Sequence, residues 1–287
     1  MNKMSKKEKK KIAVFGVDSR LLAAADALSD EGFDVTLFGD GYGSNIVKTL
    51  HGADAVLLGV PASTDGKYIC GLGDGKAISF KALFEKMGGK CPLLFGGGIG
   101  EDIKKNAPKY GVRCVDYLPD EAFALRNALT TAEGAVNIMM NELPVTVFGS
   151  SAVITGFGRV GRALCRCLIS LGASVTVCAR SASDRAAANC MGASVCDIPK
   201  GEANGLPWCD VIFNTVPDLI LGEAQLENIS GETLLVELAS VPGGIDASAA
   251  AKTGHKLIIA RGLPGKTSPV TAGRDICRAV IEMWGDE

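Results

Sequence analysis

Apolar residues come along this chain in short unbroken runs, separated by stretches in which they recur at helical spacing. The two kinds alternate from one end to the other. KIAVFGV (11–17) has the continuous run of a buried strand, and RLLAAADALSDEG (20–32) has helical period with Gly32 as its stop. DVTLFG (34–39), ADAVLLGVPAST (53–64) and CPLLFGGGIG (91–100) are three more strands, each closing in a polar or glycine-rich loop. Residues 101–111 and 112–117 continue the alternation as helix then strand. Such alternation requires parallel strands with crossover helices, so residues 1–129 are expected to form an open α/β domain of the Rossmann or flavodoxin type.

TTAEGAVNIMMNEL (130–143) is helical in spacing and precedes a second glycine turn, so it is expected to connect two domains. After it come SAVITGF (151–157), SVTVCAR (174–180), ASVCD (193–197), DVIFNTVP (210–217), TLLVELAS (233–240) and KLIIARGL (256–263). Six strands are what a full dinucleotide domain requires. The expected fold is thus two Rossmann-like parallel-sheet α/β domains, 1–129 and 130–287, joined by a long helix. A terminal helix over 271–284 returns to the first domain, by analogy with two-domain dehydrogenases.

A length of 287 residues allows two cores, and 47% apolar with 22% charged residues suits a soluble protein. The 36 glycines fit a fold with many tight strand-to-helix turns. A net charge of −2 offers no clustered basic face for nucleic acid. The opening MNKMSKKEKKK is basic, but only IAVFGV follows it, too short for a signal peptide; it reads as a solvated leader. No apolar stretch reaches about 18 residues, so no membrane span is expected and the location read is cytoplasmic. The ten cysteines include no C-x-x-C pair and several lie in apolar patterns, so they are expected to be buried and reduced. His51 and His255 are the two histidines and neither has a ligand-spaced neighbour, so no metal site is expected.

ITGFGRVGRA (154–163) carries the chemistry. Gly156 allows a sharp turn after the strand, Gly158 lets backbone approach a pyrophosphate, and Gly161 lets helix and strand pack closely. Arg159 and Val160 open the helix whose N-terminus faces the phosphates. G-x-G-x-x-G alone is weak; strand, turn, helix and next strand in order make dinucleotide binding the reading. An NAD site carries an acid at the end of the second strand, about 20 residues on. This chain has Ala179, Arg180 and Ser181 there, followed by Arg185, a set that pairs with a 2′-phosphate and selects NADP. The alternative is that Arg180 only stacks on adenine and the site accepts both cofactors. Thr215, Val216 and Pro217 end the fourth strand and Ser240 follows the fifth, at the sheet edge where ligands bind, though these loops also read as plain turns.

IAVFGVDSRLL, TAEGAV, GFGRVGRALC, VCARS, FNTVP, ELASVPGGID and GLPGKTSPVTAG together are similar to the family of dipicolinate synthase A subunits, over nearly the whole chain after the leader. The resemblance implies NADP-dependent oxidation of dihydrodipicolinate to pyridine-2,6-dicarboxylate during spore formation. It implies a second, flavoprotein-like partner, the dipicolinate synthase B subunit, and no metal. A homo-oligomer is expected. Two other readings stay open: a generic NADP-dependent dehydrogenase of a small carboxylic acid, and a dinucleotide-binding regulatory protein.

A dicarboxylate substrate needs cationic or hydroxyl partners. In the first domain Ser19 and Arg20, Ser63 and Thr64, and Gly96–Gly98 stand at strand ends, with Arg20 as the candidate carboxylate clamp and the substrate expected in a cleft between the domains. Thr131 and Glu133, with Asn127 before them, are candidates for holding a carboxylate and accepting a proton. The plainer reading makes Thr131 and Glu133 a helix N-terminal turn.

Overall fold

Nearly every apolar run lies in a parallel strand, and crossovers join one strand to the next, as the alternation demands. The computed structural model describes residues 9–73, 75–198 and 206–285; the first eight residues of the basic leader lie outside these. The chain divides into two compact units, Met1–Arg126 with Ser268–Glu287, and Asn127–Thr267.

Unit 1 holds strands β1 (Lys11–Phe15), β2 (Asp34–Phe38), β3 (Ala55–Leu58), β4 (Leu93–Gly96) and β5 (Arg113–Asp116) in one parallel sheet of order β2-β1-β3-β4-β5. This is the flavodoxin-type order. Between them run α1 (Ser19–Asp30), α2 (Ile46–Thr49), α3 (Phe80–Met87) and α4 (Glu101–Asn106). The period of two sorts β1 between two cores: Ala13 and Phe15 pack with Phe80, Leu83 and Phe84 of α3, and Ile12 and Val14 pack toward α1.

Helix α5 (Glu121–Glu142) links the units and begins nine residues before the expected start at 130. Its N-terminus is set by Asp120, whose Oδ1 accepts the Phe123 N–H at 2.7 Å. Apolar period continues upstream of Thr130, so Thr131 and Glu133 are mid-helix residues; the N-terminal-turn reading of them is corrected.

Unit 2 holds β6 (Ser151–Thr155), β7 (Ser174–Cys178), β8 (Ser194–Cys196), β9 (Val211–Asn214), β10 (Leu234–Glu237) and β11 (Leu257–Ile259), in the order β11-β10-β9-β6-β7-β8. Helices α6 (Arg159–Ser170), α7 (Ala182–Cys190), α8 (Glu223–Leu226), α9 (Ala247–Lys252) and α10 (Leu263–Thr267) complete it. This is the doubly wound dinucleotide order, and the strand order reverses between β6 and β9. Ala132, Ala135 and Met139 of α5 pack on the sheet beside Leu164 and Leu168 of α6.

The cysteines depart from expectation. Cys178 and Cys196 face each other in the β7–β8 register and form a disulfide, with Cα atoms 4.7 Å apart. Cys190 is exposed; Cys91, Cys165, Cys209 and Cys277 are buried thiols, whose ionisation burial pushes up to about 11–12.

Helix α11 (Pro269–Gly285) returns to unit 1, as expected, and completes its core: Ile276, Ala279, Val280 and Trp284 pack with Leu21, Ala24 and Leu28 of α1. A Cβ on Gly273 would lie 2.5 Å from the Arg20 carbonyl oxygen, so only glycine permits this approach. Asp275 on α11 is buried, 3.5 Å from Arg126 Nε on α5. Burial outweighs the favourable charges of Arg126 and Arg278 and holds its carboxyl above the ordinary aspartate value of 3.8. The folded state therefore binds this proton more tightly than the unfolded chain does. The stability it contributes is complete at low pH and is lost as pH rises through and above that value. Asp275→Asn is expected to flatten this decline, read by urea unfolding at a series of pH values between about 3.5 and about 7. An unchanged slope in the variant would show that Asp275 contributes no such term.

Candidate functional site

In a doubly wound sheet the ligand crevice opens at the carboxyl edge, where strand order reverses. In unit 2 that point lies between β6 and β9. The glycine turn follows β6, and the Thr215–Val216–Pro217 loop follows β9.

The three glycines separate by what a side chain would meet. Gly156 has φ +92°, and a Cβ there would lie 2.5 Å from Thr215 Oγ1, so turn and β9 loop touch. At Gly161 a Cβ would lie 2.4 Å from the Gly156 carbonyl oxygen, which locks the first turn of α6 against the loop. Around Gly158 a Cβ would meet nothing within 4 Å. Gly158 is also the N-cap of α6 and supplies no side-chain hydrogen bond to the helix. Open space and a helix start without a side-chain cap together make a place for an anion.

Unit 1 repeats the same strand–turn–helix with another outcome. GVDSRL stands where unit 2 has GFGRVG. Asp18 caps α1, its Oδ1 accepting the N–H groups of Arg20 at 3.0 Å and Leu21 at 3.2 Å. Leu21 fills the position of Gly161, and its Cδ2 lies 2.6 Å from where a Cβ on Gly16 would be. A carboxylate and a leucine thus close in unit 1 what is open in unit 2.

At the end of β7, Arg180 is exposed beside the buried Ala179. Ser181 caps α7, accepting the Asp184 N–H, and its hydroxyl lies 2.5 Å from that of Ser183. Arg185 turns back onto the strand end, donating to the carbonyls of Ala179 at 2.7 Å and Arg180 at 2.9 Å and pairing with Asp197. It shapes the backbone under Arg180. Arg159 is exposed and Val160 half-buried on the first turn of α6. Arg162, not anticipated, donates to the Phe157 carbonyl at 3.0 Å and to Asp184 at 2.7 Å, tying the glycine turn to α7.

The sequence reading also missed the buried polar cluster beneath the crevice. Thr155 Oγ1 donates to Asn214 Oδ1 at 2.6 Å, and Asn214 Nδ2 donates to Glu237 Oε1 at 2.8 Å and to the Val216 carbonyl at 2.9 Å. Glu237 Oε1 also accepts the Ala239 N–H at 2.9 Å; Oε2 accepts those of Gly244 at 2.7 Å and Ile245 at 3.0 Å. All three side chains are the last residues of their strands. The available signal was a Thr, an Asn and a Glu each ending an otherwise apolar run. Pro217 and Ser240 are exposed on the loops this cluster holds, and Thr215 and Val216 are half-buried.

The catalytic candidates fall in different units. Arg20 lies in unit 1, its Nη2 donating to the Val60 carbonyl at 2.7 Å and its Nε lying 3.4 Å from Asp18 Oδ1. Beside it Tyr117 is fully buried, its phenol raised by that burial and donating to the Leu58 carbonyl at 3.0 Å. Thr131 Oγ1 donates back to the Asn127 carbonyl at 2.7 Å within α5, and Glu133 is exposed. Both belong to unit 2. Ser63 donates to the Tyr68 carbonyl at 2.7 Å. The loop after β4 has an internal anion: Asp116 accepts the N–H groups of Gly98 at 2.8 Å and Ile99 at 2.9 Å. Those two N–H groups are therefore already committed within the fold. His51 is exposed, and His255 is buried with Nδ1 2.8 Å from Thr253 Oγ1, ahead of β11 and so at the opposite edge from the crevice. Among the described residues no group of three or more His, Cys, Asp or Glu side chains could hold a metal ion, and no helix is long and apolar enough to cross a membrane.

Residues 11–118 match the family model for the N-terminal domain of the dipicolinate synthase A subunit. The chain is 28% identical to the A subunit of dipicolinate synthase from Bacillus subtilis (strain 168), over 96% of each sequence. The crystal structure of the dipicolinate synthase A subunit from Bacillus halodurans is similar with a TM-score of 0.82 at 27% identity, covering 96% of this chain and 97% of that one. Its Bacillus subtilis counterpart gives 0.81 at 27% identity, covering 96% of each.

The glycine geometry makes opposite demands at two positions three residues apart. Gly161→Ala is expected to destabilise the chain by roughly 1–3 kcal/mol from the clash, offset in part by about 1 kcal/mol of helix propensity. Gly158→Ala is expected to stay within about 0.5 kcal/mol of the parent. Equilibrium unfolding of the two variants checks the contrast, and equal losses would show that the space at Gly158 is not open.

Proposed function

We propose that the chain is a dipicolinate synthase A subunit, the nucleotide-binding, oxidising component of such a synthase, using NADP. In this reading it acts in the cytoplasm of spore-forming cells, as a homo-oligomer, with a flavoprotein-like B subunit. Its substrate is dihydrodipicolinate, a cyclic dicarboxylate that becomes aromatic on losing a hydride and a proton. The observation that carries the reading is the open N-terminus of α6, without a side-chain cap, with Arg180 standing where an NAD site has its acid.

The residues fit the group they are asked to hold. Gly158 leaves room for a pyrophosphate, and the N–H groups at the start of α6 supply donors and a partial positive charge. Arg180, exposed, with the Ser181 and Ser183 hydroxyls nearby, suits a 2′-phosphate; an acid at that position would repel it. Arg159, Val160 and Gly161 frame the phosphate side, with Ala179 and Arg185 setting the strand end. Thr215, Val216, Pro217 and Ser240 line the half of the sheet edge that in this fold faces the nicotinamide. When bound, NADP supplies the hydride acceptor; aromatisation supplies the drive from the substrate itself. The chain's own task is to hold two carboxylates and exclude alternatives. In unit 1 this falls to Arg20, whose guanidinium is oriented by Val60 and Asp18 and lies at the sheet edge after β1. Thr131 and Glu133 stand in the proposal as carboxylate-positioning and proton-accepting groups on α5.

Titration of the chain with NADPH and NADH, followed by turnover of dihydrodipicolinate with and without the B subunit, tests the whole. Preference for NADPH and turnover that depends on the partner are expected; binding of neither dinucleotide would refute the reading. Arg180→Glu is expected to weaken NADPH by roughly 1.5–3 kcal/mol, the range of a charge-assisted hydrogen bond. NADPH affinity equal to the parent's would remove Arg180 from the site.

Arg20→Ala is expected to lower kcat/KM for dihydrodipicolinate by a similar amount, roughly 1.5–3 kcal/mol, with NADPH affinity unchanged. Parent-like turnover would show that Arg20 only braces the Val60 loop.

A further inference from the structure

The loops after β9 and β10 are held by one carboxylate. Glu237 is buried, 3% exposed, and takes four N–H donors: Asn214 and Ala239 on one oxygen, Gly244 and Ile245 on the other. The loops are also joined directly, since the Gly244 carbonyl accepts the N–H groups of Ile220 at 2.8 Å and Leu221 at 2.9 Å. A Cβ on Gly244 would lie 2.5 Å from the Val216 carbonyl oxygen and 2.7 Å from that of Asp218. On the other side Asn214 ties the β9 loop to Thr155, and Thr215 Oγ1 donates to the Thr155 carbonyl at 2.8 Å. The hydrogen bonds of the Glu237 side chain go to residues 214, 239, 244 and 245, and none goes to the glycine turn, β7 or α7.

We propose that Glu237 is a positioning residue for the nicotinamide half of the bound dinucleotide: it fixes the β9 and β10 loops as one unit and leaves the adenosine half untouched. The inference rests on the reading that unit 2 binds a nicotinamide dinucleotide. Two oxygens that only accept are what the geometry requires. A glutamine offers one acceptor and one NH2, so whichever way it turns, it sets donors against donors at one of the two oxygen positions, either against Asn214 and Ala239 or against Gly244 and Ile245. The two mononucleotide halves of this fold bind separate parts of the cofactor, β6–β8 the adenosine and β9–β11 the nicotinamide. A fault at Glu237 therefore reaches one half only.

The experiment compares a whole cofactor with its adenosine fragment. In Glu237→Gln, the Kd for NADPH is expected to rise about ten- to a hundredfold, the range for donors left without acceptors. The Kd for 2′,5′-ADP is expected to stay within about twofold of the parent, since its contacts lie on the other half. Equal weakening of both ligands would make Glu237 a general stability residue and overturn the proposal, as would parent-like binding of both. If Glu237→Gln does not fold, Asn214→Ser, which removes the donor that the end of β9 gives to Glu237, carries the same contrast at about two- to fivefold. A uniform or absent effect there overturns it equally. If the unaltered chain binds 2′,5′-ADP and NADPH with the same affinity, the nicotinamide half makes no contact to position and the proposal falls while the nucleotide site stands. If it binds neither, the proposed function falls with it.

Discussion

The first turn of α6 sets the terms for everything around it. A helix begins with N–H groups that have no partner within the helix, and a partial positive charge gathers there. Unit 2 leaves that turn without a side-chain cap by placing Gly158 at its start. The same βα turn in unit 1 is closed by the Asp18 carboxylate and the Leu21 side chain. Two copies of one architecture thus differ at the helix start through a few side chains. A carboxylate at the cap satisfies the donors and would repel a phosphate at once, so unit 1 has a capped helix start that does not suit an anion.

The same economy recurs at other strand ends of unit 1. Asp116 draws in the backbone of the β4 loop, and Asp65 accepts the N–H groups of Lys67 at 2.8 Å and Tyr68 at 2.9 Å, which hold its carboxyl below the usual aspartate range. Loops that look free in sequence, with serine, threonine and glycine, are committed to internal hydrogen bonds. In unit 2 the corresponding work is done from beneath, by Thr155, Asn214 and Glu237. Burying those polar groups is tolerable because their donors and acceptors meet, and such a network fixes loop geometry more sharply than apolar packing does.

The path of the chain explains why the units cannot be cut at one place in sequence. Unit 1 needs α11, from the far end, to cover the face of its sheet that carries Ile12, Val14 and Phe95. Unit 2 takes the second half of α5 for the same purpose. A parallel sheet must be covered on both faces, and here the covering helices come from segments distant in sequence.

Periodicity alone determined much of this protein: unbroken runs gave the strands, helical spacing gave α1, α6 and α11, and strand–helix alternation gave parallel sheets. The close packing at Gly156 and Gly161 and the open space at Gly158 follow from their spacing, because the geometry of that turn is local. The exposed place of Arg180 just after β7 was legible for the same reason, being a fixed number of residues beyond the turn. The start of α5 at Glu121 was not, since a helix boundary depends on whether Asp120 finds a donor to cap. Nor was the pairing of Cys178 with Cys196, which depends on the register of β7 against β8. The Glu237 cluster and the occupied loops of unit 1 were likewise decided by tertiary structure. Hydrogen bonds between residues tens of positions apart leave no periodic trace, because each partner is placed by a different strand and meets the others only when the sheet is assembled.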